Sequence, residues 1–140
     1  MTTRTQGHTH KLLLVSESQH ALRGLNGFME SQGYGWDTAD SSITAVETLR
    51  RANYDLVILM ANTGPEPWND LLHFVKERRE QLPVIALCDA RHFAEFSNRL
   101  RTPSIYLVAT PYNPLELDKT IKDALEQRRI SFEFNTLQER

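Results

Sequence analysis

The chain has 140 residues, 40% hydrophobic and 24% charged, enough for one domain that buries roughly two thirds of its unfolded surface and too apolar for a disordered chain. Sixteen basic residues against eighteen acidic ones leave a net charge of −2, which offers nucleic acid no basic footprint. No apolar run approaches the roughly 18 residues of a membrane helix, no signal peptide is legible at the start, and the single cysteine, Cys88, excludes an internal disulfide and points to a reducing, cytoplasmic compartment.

Residues 1–10 are polar and without periodicity and read as a disordered arm. His8 and His10 in such an arm do not make a metal site, and no metal or other cofactor is expected. Leu12-Leu-Leu-Val15 is a continuous apolar run, the mark of a central parallel strand. Ser18 is placed to cap a helix that carries Leu22, Leu25 and Met29 inward and stops at Gly33. Gly24 and Gly27 weaken that helix by about 1 kcal/mol each.

Residues 34–39 read as an edge strand, and Ser41 and Ser42 as candidate caps of a helix bearing Val46 and Leu49. Residues 55–60 form the next buried strand. A loop rich in Gly and Pro follows, then a helix from about Trp68 with Leu71, Leu72 and Val75 inward. The fourth strand spans 83–88, its helix carries Phe93, Phe96 and Leu100, and the fifth strand spans 105–108. A last helix starts near Pro114. Five strands alternating with five helices imply a parallel sheet with right-handed crossovers and helices on both faces. Ligands of such a sheet bind at the carboxyl ends of the strands, which here are Ser16-Glu17, Met60, Cys88-Asp89 and Thr110-Pro111.

These strand ends carry a resemblance. Residues 11–128 are similar to the receiver domain of bacterial two-component response regulators. Lys11-Leu-Leu-Leu-Val-Ser-Glu resembles that family's first strand, which ends in an acidic pair. Tyr54-Asp-Leu-Val-Ile-Leu-Met resembles its third, which ends in the phosphoacceptor aspartate. Pro83-Val-Ile-Ala-Leu-Cys resembles the fourth, which ends in Thr or Ser. Tyr106-Leu-Val-Ala-Thr-Pro resembles the fifth, where lysine precedes proline. The fold implied is α/β, a flavodoxin-like (βα)5 three-layer sandwich with strand order 2-1-3-4-5.

The departures fall on the chemistry. Ser16 replaces the first acid, while Glu17 keeps the second. Met60 replaces the nucleophilic carboxylate, Cys88 the hydroxyl, and Thr110, or Ala109 in a shifted alignment, the lysine. A thioether forms no acyl phosphate and is a poor ligand for Mg²⁺. The resemblance therefore implies a pseudo-receiver, with Ser16, Glu17, Met60, Cys88, Asp89, Thr110 and Pro111 as a degenerate phosphorylation pocket. No catalytic residue is expected, because Glu17 and Asp89 lack a placed partner for acid–base work.

The family's aromatic switch position on the fifth strand falls on Leu107, with Tyr106 one residue earlier. Cys88 reads either as a redox thiolate or as a small buried apolar group. Met60 either fills the vacated crevice or lines a ligand pocket with Trp68 and Tyr112. Trp68 is an exposed binding hot spot or a core residue.

Residues 129–140 contain no helix breaker, so the last helix should extend past the domain as a connector that covers Phe132 and Phe134. The expected function is signalling by protein contact without phosphoryl transfer, as the N-terminal module of a response regulator or larger signalling protein. The expected partners are an output domain, another protein, or a second copy paired through the last helix. Arg99, Arg101, Tyr106, Lys119 and Lys122 stand on the expected contact surface. The alternative is a small-molecule sensor that uses the vacated crevice.

Overall fold

The structure is a computed structural model that describes residues 10–62, 64–79, 81–100 and 105–138. Five parallel strands, β1 (Lys11–Val15), β2 (Gly35–Ala39), β3 (Leu56–Met60), β4 (Val84–Cys88) and β5 (Ile105–Ala109), form one sheet in the order β2-β1-β3-β4-β5. The helices are α1 (Gln19–Gln32), α2 (Ser42–Arg51), α3 (Asn69–Arg78), α4 (Phe93–Leu100) and α5 (Pro114–Gln138). Single turns of 3-10 helix precede α3 and α4.

β1, β3 and β4 are apolar on both faces because both faces are covered. Leu12, Leu14, Leu56, Ile58, Ile85 and Leu87 pack under α1 and α5. Leu13, Val15, Val57, Leu59, Val84 and Ala86 pack under α2, α3 and α4. Each such leucine or isoleucine withdrawn from water contributes about 1.5–3 kcal/mol before the entropy of ordering it. β2 lies at one edge and exposes Asp37 and Thr38. β5 forms the other edge, and none of its five residues is fully buried.

The helix ends follow the local chemistry. Ser18 Oγ accepts from Ala21 N–H at 3.2 Å. Gly33, with φ of 80°, closes α1 by donating to the Glu30 carbonyl, a conformation that a side chain resists. Ser41 caps α2 in a reciprocal arrangement with Thr44. Ser42 does something else. Its Oγ accepts the backbone N–H of Leu71 at 2.8 Å, so a residue of α2 caps the first turn of α3. Trp68, at the start of α3, supplies no side-chain cap itself.

Several expectations change on the structure. Trp68 is 2% exposed in the core of the α2–α4 face, which removes the hot-spot reading. The arm does not include His10, whose carbonyl accepts from Gly35 N–H at 3.1 Å and so belongs to the start of the sheet. Tyr106 is half-buried and packs against the core under α1 and α5. Leu107, the neighbouring candidate for the switch position, packs against the opposite core, under α2–α4. Residues 1–9, Arg101, Thr102, Pro103 and the side chains of Arg99, Phe132 and Phe134 lie outside the described residues.

Candidate functional site

The strand register sets the carboxyl end of the sheet. Val15 pairs with Leu59, Met60 with Leu87, and Cys88 with Ala109. Ser16 and Met60 therefore follow side by side, and Cys88 stands one residue beyond the Met60 pair. Because side chains alternate along a strand, Met60 and Cys88 fall on opposite faces of the sheet. Met60 packs with the α1–α5 core, and Cys88 is buried in the α2–α4 core.

A crevice of about 490 Å³ opens at this end. Met60, Asn62 and Asp89 line one side, Thr110, Pro111 and Tyr112 the other, and Arg91 the rim. Of the seven residues expected to form the pocket, the structure brings together Met60, Asp89, Thr110 and Pro111. Thr110, and not Ala109, takes the place next to the crevice, with its N–H donating to the Cys88 carbonyl at 3.0 Å. Ser16, Glu17 and Cys88 do not line it.

Each of those three has a local reason. Ser16 is buried, and its Oγ accepts from Ser18 N–H at 3.0 Å, holding the turn into α1. Glu17 is exposed. Cys88 is enclosed, and burial first, then the nearby charges of Asp89 and Glu95, push its thiol up to about 11. An enclosed thiol raised in this way favours the reading of Cys88 as a small buried apolar group. Asp89 is used as a cap: its carboxylate accepts from Arg91 N–H at 3.0 Å and lies 3.8 Å from the Arg91 guanidinium. Burial raises the Tyr112 hydroxyl above its ordinary value.

Mg²⁺, which the receiver resemblance implies, takes an octahedron of oxygen ligands. The crevice offers a thioether, one carboxylate already engaged by Arg91, the hydroxyls of Thr110 and Tyr112, and an amide. These residues do not fit it. Among the described residues, no three His, Cys, Asp or Glu side chains gather as a metal set.

Arg91 was missed from sequence. The signal was present in its spacing from Asp89, which suits a carboxylate that turns back to the backbone two residues on.

No protein-family model matches the sequence and no curated protein does. Solved structures do match in shape. The signal receiver domain of an HD domain-containing protein from Pseudomonas fluorescens superposes with a TM-score of 0.74 at 22% identity, covering 86% of this chain and 97% of that one. The chain has the receiver fold. NtrX from Brucella abortus, solved with ADP, gives 0.80 at 19% identity over 94% of this chain. The match takes up only 29% of NtrX. The receiver domain of the Francisella response regulator 1452 gives 0.72 at 17% identity, over 85% of this chain and 98% of that one. In this receiver fold no helix among the described residues is long and apolar enough to cross a membrane.

Proposed function

We propose that this chain is a pseudo-receiver: a non-enzymatic signalling module that works by protein contact and takes no phosphoryl group. The observation that carries the reading is the end of β3. Met60 stands there, half-buried, packed against the α1–α5 core and lining the crevice. A thioether lacks the nucleophilic oxygen that an acyl phosphate needs. The residues around it offer no substitute, since Asp89 is a cap and Ser16 holds a turn.

The contact surface is β5 with the outer sides of α4 and α5. β5 is a half-exposed edge, and Leu115 at the start of α5 is 82% exposed. Lys119 is exposed, while Lys122 is held by Asp118 at 2.6 Å. α5 continues ten residues beyond Arg128 to Gln138, a further length of about 15 Å. We assign that extension to the output connection, either to a following domain or to a second copy.

Two measurements test the reading. Incubation with a small-molecule phosphodonor and Mg²⁺, followed by intact mass, should show no added phosphoryl group, and millimolar Mg²⁺ should leave the melting temperature unchanged. A stable phosphoryl adduct, or a Mg²⁺-dependent rise, overturns it. Light scattering on chains ending at Arg128 and at Arg140 then tells whether the extension pairs two copies.

The crevice favours one second reading, a small-molecule sensor with Tyr112 and Arg91 as contacts. Saturation at one hundred times Kd would then stabilise the fold by about 2.7 kcal/mol.

A further inference from the structure

The opposite end of the sheet holds a second hollow, of about 310 Å³, between the ends of α2 and α3 and the approach to β3. That volume is at the lower end of small-metabolite sites. Its lining includes three arginines, Arg78, Arg79 and Arg128, together with Asn53, Gln81 and Tyr54. Leu49 and Leu82, both buried, and Ala52 form an apolar floor. None of the described lining residues is acidic.

Two of the three arginines are fixed. Arg79 donates to the carbonyls of Arg78 at 3.0 Å and Leu49 at 3.5 Å, and its guanidinium lies 5.5 Å from the centre of the Phe74 ring. Arg128 reaches in from α5 and is held by Asp55 at 2.9 Å. Arg78 is exposed and has no ion pair among the described residues. Arg78 and Arg79 stand at the end of α3, where cations complement the helix dipole. The dipole does not account for Arg128 arriving from another helix, nor for the two amides around the same hollow.

Arg128 is already balanced by Asp55, but Arg78 and Arg79 have no carboxylate partner among the described residues, and an anion lowered beside them relieves their repulsion. Guanidinium forks match the oxygens of a phosphate group in pairs. We propose that this hollow binds a small phosphomonoester, with the phosphate between Arg78, Arg79 and Arg128 and the organic group over Leu49, Ala52 and Leu82. The proposal is independent of the reading of the carboxyl end, which lies across the sheet.

The test is thermal unfolding of the full chain with glycerol 3-phosphate, set against sodium chloride at matched ionic strength. The expected result is a rise of several degrees with millimolar phosphomonoester and not with chloride. Arg78→Gln should lose at least two thirds of that rise, and Arg23→Gln, on the exposed side of α1, should keep it. Arg78 is exposed and has no ion pair among the described residues, so the unliganded Arg78→Gln chain should melt within a degree or two of the parent. An equal rise with chloride means general screening and overturns the proposal. An undiminished response in Arg78→Gln overturns it as well. If the chain sediments with phosphatidic acid vesicles and glycerol 3-phosphate does not compete, the ligand is a lipid headgroup and the soluble phosphomonoester is ruled out.

Discussion

Replacing Ser42 with alanine removes the acceptor of the Leu71 N–H bond, 2.8 Å long and buried. Little else changes, since the lost atom is one oxygen and Ser42 is almost wholly enclosed. An N–H left buried without a partner costs about 1–3 kcal/mol. The loss of a helix cap measured by itself costs about 1 kcal/mol. These describe the same bond and do not add. Alanine suits the first turn of α2 slightly better than serine, by a few tenths of a kcal/mol. The net expectation is a loss of about 1–2 kcal/mol, or roughly 3–8 °C in melting temperature for a chain of this size. Urea unfolding followed by circular dichroism should show a lower midpoint with an unchanged slope. Ser42→Thr, which keeps the hydroxyl, should recover most of the loss. An alanine variant within 0.5 kcal/mol of the parent would show that Leu71 finds another acceptor, and that α2 does not hold the start of α3.

Two further outcomes follow from the titrating groups. Cys88, with its thiol near 11, should be about a hundredfold less thiolate at pH 8 than an ordinary cysteine near 9, so native labelling by iodoacetamide should be at least that much slower than in urea; labelling at the unfolded rate refutes the burial. For Asp37, burial pushes the carboxyl up, but hydrogen bonds from Tyr54 and Lys11 and the Lys11 charge outweigh it and hold it below the ordinary value. A lowered native value stabilises the fold above the unfolded value and loses that contribution as pH falls through the native one. Stability should therefore decline as pH drops below about 4, and Asp37→Asn should flatten that decline; an unchanged acid limb sinks this account.

Much of the fold was legible in the residues. Apolar runs in β1, β3 and β4 can only be strands buried on both faces, and Ser18 and Gly33 mark the ends of α1 by their own chemistry. What was hidden depends on register and on contacts far apart in sequence. Met60 and Cys88 each end an apolar run and look like neighbours in one pocket. The register of β3 against β4 offsets them by one residue and sends them to opposite faces. Trp68 was ambiguous because the Gly-Pro loop before it gives no periodicity to read. Ser42 looks like a cap of its own helix, and nothing local shows that its hydroxyl serves Leu71, 29 positions away. The arginine-lined hollow joins α3 to α5 across 50 residues and has no linear signature.

The methionine at the end of β3 also bears on what the fold must tolerate. A cluster of carboxylates built to hold a cation repels itself whenever the cation is absent, so stability is sacrificed to function at that spot. With the uncharged Met60 packed against the core at that position, a methionine adds nothing to such repulsion. On the pseudo-receiver reading we propose, the domain holds one shape whatever the supply of divalent ions. On that reading position 60 answers to packing volume and not to charge, and leucine or isoleucine there should leave the fold about as stable as methionine does.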